Sequence, residues 1–162
     1  MRLPLPQKRN INMQPIDSFE EFLRKRKEEE AKKPKVDWGA RRLQWLKSVD
    51  DLFSSIRSWL DPLKQQGLVD YCVKSVQLSE EFIGRYEASM LEVIIGQDRV
   101  SFIPRGTLII GSYGRIDVSG PRGNLMLIER EWDSWEFAQR TPKLETWKLN
   151  ADSFNQAIQS LI

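Results

Sequence analysis

Apolar side chains recur along the chain with two alternating periods, and each change of period marks a boundary between elements. Between Trp38 and Leu63 the spacing is helical: Trp38, Trp45, Leu52 and Trp59 stand seven residues apart, with Val49, Ile56 and Leu63 between and after them in steps of three and four. That pattern predicts one helix with a continuous apolar face. Asp37 is placed to cap its start, Pro62 to end or kink it near Leu60, and Gly67 to close the segment. After Gly67 the period falls to two. Strands are predicted over 69–77, 85–95, 100–103, 107–110, 114–118, 125–130, 136–138 and 146–149. Turn chemistry separates them at Gly96-Gln97-Asp98, Pro104-Arg105-Gly106, Gly111-Ser112-Tyr113-Gly114 and Gly120-Pro121-Arg122-Gly123. Connections this short join antiparallel neighbours, so the strands predict a meander. The helical period returns at 151–162, with Phe154, Ala157, Ile158, Leu161 and Ile162 apolar and Asn150 as the cap. The order predicts an α+β fold, with N-terminal helices and a C-terminal helix packed on a mostly antiparallel sheet.

Upstream the pattern is different. Residues 1–15 carry Pro4, Pro6 and Pro15 with no periodicity, and are expected to be irregular. Asp17 and Ser18 each open a capping-box spacing, which predicts a helix running to about Lys33 and stopping before Pro34. Its apolar residues Phe19, Phe22 and Leu23 cover a single turn, and Ala31 is the only apolar residue in the stretch from Arg24 to Lys35 apart from Pro34. A helix so polar is marginal on its own. Residues 1–36 therefore read as a disordered segment plus an arm helix that orders on a partner, and 37–162 as a single domain.

Charge sharpens that division. The overall net charge is +2, but cutting after Val36 leaves ten basic and six acidic residues upstream, against fifteen and seventeen downstream. A basic arm of net +4 thus precedes a body of net −2. Clustered Lys and Arg suit nucleic-acid phosphates, yet Glu28, Glu29 and Glu30 interrupt the run, and a solvated helix face is the preferred explanation. There is no histidine and one cysteine, Cys72. Histidine-dependent nucleophile pairs, disulfide scaffolds and structural zinc sites are excluded. No apolar run long enough to span a membrane is present, and the first residues lack a secretory apolar stretch, so a cytoplasmic location is expected.

Three segments could carry chemistry. Gly106 to Arg115 is glycine-rich, but no Gly-Lys-Ser/Thr follows and no helix opens after it, which excludes a P-loop and a dinucleotide fingerprint. Its Gly-Ser-Tyr-Gly core resembles the clamp of KH domains, but strand-forming residues flank it and favour a hairpin. Asp117, Glu129 and Glu131, near the ends of predicted strands, resemble the carboxylates of PD-(D/E)xK nucleases that bind Mg²⁺; Glu131 stands where that motif needs a lysine. Trp132 and Trp135 with Arg140 form the third cluster. An extended chain cannot bury both indoles, so one is expected at the surface, as a partner contact or as cover for a sheet edge.

The Trp-rich helix ending in Ser58-Trp59-Leu60-Asp61-Pro62, then Glu81-Phe82-Ile83-Gly84-Arg85-Tyr86, Pro104-Arg105-Gly106-Thr107 and Gly114-Arg115-Ile116-Asp117, together resemble a group of small uncharacterised bacterial proteins with no known activity. The resemblance covers 38–162 and implies a bacterial cytosolic protein. Without a complete catalytic set, the expected function is a non-enzymatic protein-binding or adaptor subunit, requiring no cofactor or metal. Its partner, another protein or a second copy, would be met through residues 1–36, with Phe19, Phe22, Leu23, Arg24, Lys25, Trp132, Trp135 and Arg140 as contacts. The alternative is a nucleic-acid accessory or Mg²⁺-dependent nuclease using Asp117, Glu129 and Glu131.

Overall fold

The computed structural model describes residues 15–32, 35–107, 112–140 and 142–162. It contains three helices and one seven-stranded antiparallel sheet, an α+β fold. The chain divides into two units, 1–36 and 37–162.

The first unit contributes helix α1 (Pro15–Lys32). It starts before the predicted caps Asp17 and Ser18, because proline's fixed φ suits the first helical turn, where no amide hydrogen is needed. The predicted irregular stretch up to residue 14 and the predicted stop at 33–34 lie outside the described residues.

In the second unit, helix α2 (Trp38–Gln65) is capped by Asp37, whose Oδ1 accepts the Ala40 amide at 3.0 Å. It runs through Pro62 rather than ending near Leu60. So close to the C-terminus Pro62 costs one helical hydrogen bond and leaves only the last turn beyond it. The strands follow in order: β1 (Asp70–Glu80), β2 (Gly84–Ile95), β3 (Asp98–Gly106), β4 (Gly114–Gly120), β5 (Gly123–Glu131), β6 (Ser134–Gln139) and β7 (Glu145–Lys148). Each pairs with its sequence neighbours, so spatial order equals chain order. Helix α3 (Ala151–Leu161) closes the unit behind a reciprocal cap between Asn150 and Ser153.

Both helices pack on one face of the sheet. From α2 come Trp45, Val49, Leu52, Phe53, Ile56 and Leu60, and from α3 Phe154, Ala157, Ile158 and Leu161. Between them Trp59 meets Phe154 with ring centroids 5.5 Å apart, and Phe154 stacks on Phe102 of β3 at 6.0 Å. The apolar face predicted for α2 is thus the face turned to the core, with Trp38 and Trp59 half-buried and Leu63 exposed.

Two features depart from the predicted strands. Pro104-Arg105-Gly106 is not a turn; β3 continues through it, and residues 108–111, which hold all but Thr107 of the strand predicted over 107–110 and the first residue of the turn predicted after it, lie outside the described residues. Pairing of β2 with β3 stops at Leu91–Phe102, so Pro104 is paired only with β4, beside a register shift between Pro104 and Gly106. A missing amide hydrogen is tolerated at such a place. Beyond Leu91, β2 pairs with β1 alone, and the two form a ribbon with unbroken register to Glu80–Gly84. Along that ribbon the buried positions change parity, from Leu91 and Val93 to Leu78, Tyr86 and Ala88. With no bulge to account for the switch, the strong twist of a two-stranded ribbon turns its opposite face toward the core.

Candidate functional site

The face of the sheet turned away from the helices is set by alternation. Ile103 and Arg105 on β3, Arg115 and Asp117 on β4, Met126 on β5 and Ala138 on β6 point outward, while Phe102, Ile116, Val118, Leu127 and Phe137 point into the core. Ile103, Asp117, Met126 and Ala138 form one cross-strand row, since Ile103 pairs with Asp117, Asp117 with Met126, and Met126 with Ala138. Together with Arg140 these residues line a groove of about 570 Å³. Its lining is mixed: Ile103 and Met126 flank Asp117, Ser119, Asn124 and Gln139 add neutral polar groups, and its charges are Arg105, Arg115 and Arg140 against Asp117.

The Asp117 carboxylate is divided between two guanidinium groups. Oδ1 accepts from Arg115 Nε at 2.7 Å and Oδ2 from Arg105 Nε, also at 2.7 Å. Holding each arginine by Nε leaves its terminal Nη groups available, and a guanidinium presents those as a planar donor pair. Arg140 has no ion-pair partner among the described residues. The groove therefore carries a net positive charge within a body whose total is −2.

This arrangement separates the three carboxylates of the nuclease-like reading. Asp117 is committed to two arginines on the outer face. Glu129 points to the opposite, helix-facing side of β5 and is fully buried, and Glu131 is exposed at the strand end. The spacing could not reveal this, because Asp117 pairs with Met126, and Glu129, three residues on, has the opposite pleat orientation. Among the described residues no group of three potential metal ligands occurs anywhere.

Glu129 instead occupies a core position beside Trp135 and Gly114 in the ladder. Its Oε2 accepts the Asp133 amide at 2.9 Å, while Oε1 is buried without a hydrogen-bond partner, as is Ser48 Oγ on α2. Burial raises its pKa; the Asp133 amide and the nearby Ser48 hydroxyl oppose that only in part. Tyr86 behaves similarly at the ribbon. Burial, then its hydrogen bond to Glu80, keep the phenol protonated well above the ordinary tyrosine range. Glu80 Oε1 also accepts the Thr107 amide at 2.7 Å, and Arg41 of α2 donates to the Thr107 carbonyl at 3.0 Å. These bonds tie the ribbon tip, the end of β3 and the start of α2 together.

A second outward cluster centres on Glu92, which accepts from Lys74 at 3.2 Å and Arg99 at 3.2 Å, with Cys72 Sγ at 3.7 Å. The Lys74 hydrogen bond, then the charges of Lys74 and Arg99, hold its pKa below the ordinary glutamate value against partial burial. Cys72 is free and half-buried here, not enclosed in the core.

The predicted contact residues fall in three separate places. On α1, Phe19, Phe22 and Leu23 are 62 %, 57 % and 45 % exposed, and Arg24 and Lys25 are exposed too. Trp132 sits in the β5–β6 turn beside Asp133, which has φ +63°, and stacks on Tyr113 with centroids 4.5 Å apart. Trp135 is buried and lies 6.0 Å from Trp45, so it belongs to the core, and neither indole covers a sheet edge because β5 and β6 are interior strands. Arg140 belongs to the outer groove. The sequence reading missed Phe82, 68 % exposed at φ 67° in the β1–β2 turn and stacked on Trp38 at 5.4 Å. Gly84 two residues later was the available turn signal.

No family model, curated protein or solved structure matches the chain.

Proposed function

We propose that this chain is a non-enzymatic protein-binding subunit whose α1 arm supplies the primary contact. The observation that carries the reading is the exposure of Phe19, Phe22 and Leu23 on one turn of a helix that forms its own unit. Burying three such side chains in a cleft is the usual energetic reason for an otherwise polar helix to keep an apolar turn. The partner this fits is a protein with an apolar cleft of one helical turn and an acidic rim, opposite Arg24 and Lys25. A bacterial cytosolic setting follows from the sequence resemblance, and the free Cys72 is compatible with it. Among the described residues no helix is long and apolar enough to cross a membrane. The nuclease alternative loses support from the separation of Asp117, Glu129 and Glu131, and Glu28, Glu29 and Glu30 within the arm's basic run weigh against nucleic acid there.

The test uses a photo-crosslinking amino acid at Phe22 in the full chain to identify the contacted protein, followed by calorimetry with that protein purified. Phe22→Ala should weaken the complex at least tenfold, as expected for an anchoring aromatic. Unchanged affinity in both Phe22→Ala and Phe19→Ala would overturn the reading.

A further inference from the structure

The outer groove has the features of a ligand site independent of the arm. Two arginines are fixed in place by one carboxylate, a third arginine with no ion-pair partner among the described residues stands at the far end, and Ile103 and Met126 offer apolar surface on either side of Asp117. An ion pair serving stability alone would need one arginine for Asp117. Here Asp117 engages the Nε of two and neutralises only one charge, which leaves their terminal nitrogens as further donors. We infer that this groove binds an extended acidic segment of a partner protein, its carboxylates meeting Arg105, Arg115 and Arg140 and an apolar side chain resting on Ile103 and Met126.

The choice of occupant follows from the lining. A single-stranded nucleic acid would use aromatic side chains as stacking platforms, and no aromatic residue lines this groove. The groove crosses from β3 to β6, three inter-strand steps of about 4.8 Å, a span of roughly four residues of extended chain. Net positive lining on a body of net −2 selects for negative charge at this place and not over the whole surface. The inference rests on the protein-binding reading above and specifies a second, chemically distinct contact for it.

The probe is a fluorescein-labelled hexapeptide alternating glutamate with small apolar residues, titrated by anisotropy with the full-length chain at low and moderate salt. Arg115→Gln should weaken binding about tenfold and Arg140→Gln severalfold, whereas Lys47→Gln, the same charge change on α2, should leave it unaltered. Arg140 is exposed and outside any ion pair among the described residues, so its variant separates loss of binding from loss of folding. Equal effects of Arg115→Gln and Lys47→Gln, absence of binding, or equal competition by an oligothymidylate of the same charge would each overturn the inference. If the peptide does not bind while Phe22→Ala still disrupts the partner complex, the groove assignment fails and the arm reading stands. If the peptide binds and Phe22→Ala has no effect on the complex, the arm reading fails instead.

Discussion

Glu129 Oε1 lies in the core without a hydrogen-bond partner, and in that environment the carboxyl group favours its protonated form. A folded-state pKa above the unfolded one means that the native chain binds a proton more tightly than the unfolded chain. Stability from this group is full below the ordinary glutamate value near 4.5 and falls as pH rises toward the elevated native value. Glu129→Gln removes that dependence, keeps an acceptor for the Asp133 amide and adds a donor suited to Ser48 Oγ. Urea unfolding should show the variant gaining on the parent between pH 4.5 and pH 7.5, by about 1–3 kcal/mol, the cost of a buried polar group lacking a partner. No gain at pH 7.5 would show that Glu129 is adequately satisfied as an anion. At this scale the sequence is least legible: it marked Glu129 as a carboxylate of interest, but a strand's alternation decides which side it faces, and Asp117 and Glu129 differ in that one respect. Arg115, two residues from Asp117, shares its strand face by alternation alone, whereas Arg105, twelve residues from Asp117 in the chain, joins them only through β3–β4 pairing.

Among the elements, α3 shows how far a pattern can be read. Its apolar period and Asn150 cap predict both its existence and its boundaries, because amphipathic period and end chemistry are local. The place where it docks is not local. Leu161 O accepts the Arg122 amide at 3.0 Å, and a Cβ built on Gly120 would lie 2.6 Å from that same oxygen. Gly120 therefore serves the close approach of α3 to the end of β4. Gly120→Ala should destabilise the unit by about 1–3 kcal/mol, the range for a forced overpacking, read from the urea midpoint. A change below the error of that measurement would mean that α3 shifts freely. The long β1–β2 ribbon illustrates the opposite limit. Period two is visible in each strand, but the parity switch between Leu91 and Ala88 comes from twist after β3 diverges, which depends on a neighbour absent from the local pattern.

For the molecule as a whole, the division of charge at Val36 coincides with the division into two units, and it has a consequence for stability. Every buried apolar side chain among the described residues lies between Trp45 and Leu161, and all seven strands and both core helices belong to 37–162. A core of this size is self-sufficient for a domain of such length. The arm contributes exposed aromatics and positive charge, and the body's own positive groove is on its sheet, so the two proposed contacts lie on different units whereas the core lies in one. Deleting residues 1–36 should accordingly leave the thermal midpoint of 37–162 within about 2 °C of the full chain, less than the shift that ~1 kcal/mol produces in a domain of this size. The same deletion should abolish the partner contact made by Phe22 and leave acidic-peptide binding in the groove intact. A fall of more than ~5 °C in the midpoint, measured by calorimetry, would mean that α1 is part of the folding unit and that its apolar turn is spent on the body.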